Sequence, residues 1–215
     1  MSQSALERWA RQVPDRAVLT RQEAQATLGW SPGAVDEALQ ALRQQHVFYV
    51  DSECWVNPWV RLGPEAVAAQ LRPHGYFSAE WALAWQGCLS QQPTRLTIVD
   101  ATPPPVSPQV LFGAWSLECL PPVFAEDPPP LSYPPRSLPV AAPERALVEW
   151  AAYRWRGDRR DALADFLDDC DREVVEEPLR DLAAKSPVRA IRRLAQVILD
   201  VWPADSRWPG CLERG

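Results

Sequence analysis

A chain of 215 residues, 47% of them apolar, is long enough for one large folded unit or two small ones with real cores. Its formal net charge of −6 excludes a generally basic nucleic-acid binder, although a local arginine patch is still allowed. The five cysteines, Cys54, Cys88, Cys119, Cys170 and Cys211, are scattered with no C-x-x-C, and His46 and His74 stand in no ligand spacing, so neither a metal site nor a disulfide framework is expected.

The N-terminal stretch MSQSALERWARQ is charged and amphipathic, unlike a signal peptide, and no apolar run is long enough to span a bilayer. With reduced thiols this points to a cytoplasmic protein. Residues 4–13 read as a helix with Ala5, Leu6, Trp9 and Val13 on one face, and residues 17–20 as a short strand. Thr20 and Glu23 have capping-box spacing at the start of a second helix, and Gly29 suits a left-handed stop after it. Ser31 followed by Pro32 is a second helix start, with Val35, Ala38, Leu39 and Leu42 as the apolar stripe. The run HVFYVDSECWVNPWV then reads as a hairpin turning at 51–53. Helix, strand, helix, turn, helix, hairpin is the order of a winged helix-turn-helix, assigned to residues 1–62.

A second unit is expected over 63–215. Residues 64–71 form a short helix, and another starts from Ser78 with Trp81, Ala82, Trp85 and Leu89 inward. RLTIVD is a strand, and VLFGAWSLECL gives one or two more, broken at Gly113. Thirteen of the 23 prolines fall between 103 and 143, which makes that region mostly extended loop. PERALVEW opens a helix with Pro143 and Glu144 in its first turn. Three further helical stretches follow, about 158–170, 172–185 and 186–201. Ser186 and Pro187 are read as a cap and first helical residue, and Pro178 as a break or kink. The expected class is α+β: a winged helix-turn-helix, then a mixed α/β unit ending in a helical bundle.

Three stretches in this order resemble the AbiEi-type antitoxins of bacterial type IV toxin–antitoxin and phage-defence systems. They are LTRQEAQATLGWSPGAVDEALQALRQQHVFYV, GYFSAEWALAWQGCLSQQPTRLTIVD and LPVAAPERALVEW, with Glu149 where that family carries aspartate. The late AIRRLAQVILD is similar to the family's closing helix. The resemblance implies a transcriptional regulator that represses its own operon by binding inverted repeats in its promoter DNA. It also implies action against a nucleotidyltransferase-like toxin, and a homodimer on DNA would pair two half-sites.

Candidate DNA contacts are Arg21, Gln22, Ser31, Gln40, Arg43, Gln44 and Arg61, because arginine and glutamine pair with guanine and adenine edges and arginine holds phosphates. Charge opposes easy binding: residues 1–62 carry six arginines against seven acids, a net −1, and Asp36 and Glu37 open the reading helix. Glu144 and Arg145 are read as structural, one favouring a helix start and the other bridging to another element. The acidic run DALADFLDDCDREVVEE offers Asp165, Asp168, Asp169 and Glu173 to a basic partner, but it lacks EF-hand spacing and its default reading is a solvated helix face. The alternative function is therefore a protein-interaction module that no longer reads DNA. No nucleophile stands beside a base, and no phosphate-loop or dinucleotide fingerprint occurs, so no enzyme, catalytic residue or cofactor is expected.

Overall fold

The structure is a computed structural model and describes residues 3–46, 54–101, 109–112, 115–127, 129–132, 138–155 and 160–202. It is a mixed α+β fold. The first elements are α1 (Gln3–Gln12), β1 (Val18–Thr20), α2 (Arg21–Leu28), α3 (Pro32–Arg43) and β2 (Cys54–Val56). β1 and β2 pair antiparallel, with Leu19 opposite Trp55. The first arm of the expected hairpin, and its turn, lie outside the described residues.

Local chemistry sets these elements. The Thr20 hydroxyl accepts from the Glu23 amide while the Glu23 carboxylate accepts from the Thr20 amide, a complete capping box. Gly29 ends α2 at φ 65°, with its amide donating to the Gln25 carbonyl at 2.8 Å. Ser31 caps α3, and Pro32 occupies its first turn. Val35, Ala38, Leu39 and Leu42 then bury one stripe of α3, each large side chain contributing about 1.5–3 kcal/mol. Trp55 is fully buried and meets Trp9 edge-to-face.

The rest comprises α4 (Pro64–Leu71), β3 (Tyr76–Ser78), α5 (Ala79–Trp85), β4 (Arg95–Val99), β5 (Gln109–Phe112), β6 (Trp115–Leu120), β7 (Leu131–Ser132), β8 (Val140–Ala141), α6 (Pro143–Arg154), α7 (Arg160–Asp168), α8 (Arg172–Lys185) and α9 (Arg189–Val201). Among the described residues, six strands form one sheet in the order β5-β6-β4-β3-β8-β7. β4 runs parallel to β6 and β3 parallel to β8; the other pairs are antiparallel. Proline explains where strands form: the proline-free window 109–120 holds β5 and β6, and the flanking prolines confine β7 and β8 to two residues each. The buried apolar side chains of both halves join in one core.

A polar spine crosses this core. The hydroxyls of Tyr76 and Ser78 donate to Glu149, and Arg145 donates to Glu149 from one turn earlier on α6. Arg145 also reaches Asp127 and the Phe124 carbonyl, and so bridges α6 to the 121–127 loop. Leu147, Val148 and Trp150 are core.

Three expectations need correction. Trp85 is 46% exposed: it is the last residue of α5, and its ring stacks on that of Trp81 at 6.5 Å. The break expected at Pro178 does not occur, since α8 continues through it: the proline is exposed, and the carbonyl it leaves without a helical donor is that of Val174, itself on the solvent side. The last helix starts at Arg189, not at Pro187. Ser186 instead closes α8, its hydroxyl donating to Asp127 and accepting from the Val188 amide.

Candidate nucleic-acid interface

The sharp left-handed turn at Gly29 and the cap at Ser31 leave three residues between α2 and α3. With the stripe at 35, 38, 39 and 42 facing inward, helical spacing sends Asp36, Glu37, Gln40, Arg43 and Gln44 to the opposite side. Glu37, Gln40, Arg43 and Gln44 are all exposed.

Asp36 has a role that the sequence did not announce. The Arg21 guanidinium, at the first position of α2, forms an ion pair with it. The pair crosses from one helix to the next and cancels one negative charge on the α3 face. Fifteen residues separate the partners, so no helical spacing rule could have shown it. Arg21, Asp36, Gln40 and Arg43 line a small concavity of about 180 Å³ floored by Leu39. The structure thus brings together Arg21, Gln40 and Arg43, with Gln44 exposed just beyond.

The other candidates stand differently. Gln22 is exposed on α2. Ser31 is exposed, but its hydroxyl is engaged as the α3 cap. Arg61 is exposed after β2, with its amide on the Pro14 carbonyl at 2.8 Å, near the turn between α1 and β1, and it does not line the concavity.

Neighbouring charges are mostly consumed. Arg16 pairs with Glu23, and Arg11 lies over the Trp59 ring at 4.8 Å with Glu7 at 4.0 Å. Burial acts to raise the Glu23 pKa, but hydrogen bonds from the Thr20 amide, Arg16 and the Thr20 hydroxyl outweigh it and hold the carboxyl below its usual range. Among the described residues, Arg43 and Arg61 have no carboxylate within 4 Å.

Asp165, Asp168, Asp169 and Glu173 are exposed, the first three along and just past α7 and the last in the first turn of α8. No cation pairs with these four among the described residues, whereas Glu176 and Asp181 nearby are paired with Arg172, Arg180 and Lys185. No group of three or more potential ligands is placed to hold a metal among the described residues. No helix among them is long and apolar enough to cross a membrane. Compared with protein-family models and with curated protein sequences, the chain matches none.

Proposed function

We propose that residues 1–62 form a winged helix-turn-helix that reads DNA, with α3 as the recognition helix. In this reading the chain is an AbiEi-type antitoxin and regulator acting in the cytoplasm. It represses its own operon at inverted repeats and counters a nucleotidyltransferase-like toxin. The observation that carries the reading is the α3 face: Gln40, Arg43 and Gln44 stand in solvent while Arg21 neutralises Asp36. The element order and the antiparallel β1–β2 pair support it.

The mechanism follows from side-chain chemistry. α3 enters the major groove, where Arg43 offers a bidentate fork to guanine and Gln40 or Gln44 pairs with adenine. Arg21 acts on the field of the site: its charge is already spent on Asp36, so it contributes by removing a repulsion. With few cations free of a carboxylate within 4 Å among the described residues, one copy binds weakly, and paired half-sites supply the rest.

The test is fluorescence anisotropy of the purified chain on its own upstream DNA and on a scrambled duplex, at two salt concentrations. Tighter binding to its own sequence, with log K falling by about 0.9 per phosphate engaged for each tenfold rise in salt, supports the reading. Equal and negligible binding to both duplexes overturns it. A second reading is favoured by Asp165, Asp168, Asp169 and Glu173, exposed carboxylates with no cation within 4 Å among the described residues: a module that binds a basic protein surface. Co-purification with a basic partner, lost on charge reversal at these positions, is its signature.

A further inference from the structure

Three large apolar side chains are exposed among the described residues: Trp85, Val123 and Val174. Trp85 stacks on Trp81 of its own helix. The other two stand in surroundings of opposite charge.

Val123 lies at an open groove of about 710 Å³ between α6 and α9. Ala151 from α6 and Leu194 and Val197 from α9 give it apolar walls. Arg189 and Arg193 line it too, exposed and one helical turn apart. Neither has a carboxylate within 4 Å among the described residues, although α8 next door is laced with ion pairs. Arg192, between them, is used differently: it donates to the carbonyls of Ser186 and Pro187.

Val174 stands on the outer face of α8, at 46% exposure. Glu173 and Glu177 flank it, both exposed, one turn apart, and with no cation within 4 Å among the described residues. Pro178 follows, exposed, and cannot donate to the Val174 carbonyl, so this ridge carries a backbone acceptor without its helical donor. One surface is thus an apolar trough with two uncommitted cations. The other is an apolar crest with two uncommitted anions at the same four-residue spacing, about 6 Å, and an acceptor suited to a guanidinium.

We propose that the α8 ridge of one copy of this chain docks in the α6–α9 groove of a second copy. Val174 fills the trough, and Glu173 and Glu177 meet Arg189 and Arg193. The contact is between two different surfaces, so each copy both gives and receives. The proposal stands without DNA and without the regulator reading.

Sedimentation equilibrium of the full chain tests it, over a range of protein concentrations at low and high salt, with circular dichroism as the check on folding. The expected result is a mass rising above the 24.2 kDa of one chain as concentration increases, and falling back when salt screens the contact. The pair R189E/R193E weakens association roughly tenfold or more, and so does the pair E173R/E177R. Mixing the two variants restores it, because each then offers the charge the other lacks. A chain that stays monomeric throughout overturns the proposal and leaves the groove to an acidic segment of another protein. Association unchanged by either reversal, or two folded variants that do not associate when mixed, overturns it as well.

Discussion

Arg145 and Glu149 sit one turn apart on α6, joined at 3.0 Å, with side chains 2% and 0% exposed. The pair survives burial because every neighbour completes it: Tyr76 and Ser78 donate to the carboxylate, and the guanidinium reaches Asp127 and the Phe124 carbonyl. Replacing Arg145 with Met strands a charge in the core and is expected to cost about 3–5 kcal/mol. The double variant R145M/E149M is expected to recover part of that loss. Urea denaturation of the three proteins checks both statements. A single variant as stable as the original sequence would show that Glu149 needs no counter-charge.

The capping box carries a pH signature. The Glu23 carboxyl is held below its ordinary value of about 4.5, so it stabilises the fold above that pH, and the contribution is lost as pH falls through the folded value. Glu23→Gln is expected to flatten this acid-side loss. Glu23→Ala is expected to cost about 1 kcal/mol near neutrality, through the lost cap. Thermal melts between pH 3 and 7 measure both.

Gly75 precedes β3 where the chain passes close to β4. A methyl there would meet the Ile98 side chain at 2.5 Å and the Val99 carbonyl at 3.1 Å. Gly75→Ala is expected to destabilise by about 1–3 kcal/mol. Gly29→Ala meets nothing within 4 Å, so it is expected to cost only the left-handed backbone, about 1–2 kcal/mol. Denaturant midpoints separate the two.

Cys88, Cys119 and Cys170 are buried, and burial raises all three thiols, Cys88 to about 11. Thiolate is the reactive form, so these positions are expected to resist alkylation at pH 7.5 until the protein unfolds. Peptide mapping after brief labelling, with and without denaturant, reads this site by site.

On DNA, Arg21→Ala is expected to weaken binding even though the arginine is committed to Asp36, because the variant restores a bare acid to the α3 face. R21A/D36A is expected to bind better than R21A alone. Arg43→Ala is expected to lower the salt slope by about one unit where Arg43 holds a phosphate, or to relax preference at one base pair where it reads guanine. Anisotropy titrations with single-base variants of the upstream sequence distinguish these outcomes.

What the sequence disclosed was what neighbours in sequence decide. The capping box at Thr20, the stop at Gly29 and the start at Ser31 are contests between a side chain and backbone amides a few residues away, and all three stand as read. Ser186 followed by Pro187 has the same local grammar, yet Asp127, 59 residues distant, engages that hydroxyl and the helix starts later. Trp85 fits an inward pattern, but it is the last residue of α5 and stands 46% exposed. The Arg21–Asp36 pair and the Arg189 and Arg193 groove depend on how whole helices meet, which periodicity along one helix does not encode.

Gln70 of α4 has a practical consequence. Its amide oxygen accepts from the Ala17 backbone at 2.8 Å and its nitrogen donates to the Asp15 carbonyl at 3.2 Å. One side chain thus does for the approach to β1 what an adjoining strand would do. A fragment trimmed at residue 62 would leave the amide of the fully buried Ala17 without its acceptor, and would strip Val67 and Ala68 from the core. The shortest piece worth expressing to isolate α3 for spectroscopy therefore ends after Leu71, and a shorter one would misreport the helix it was cut to display.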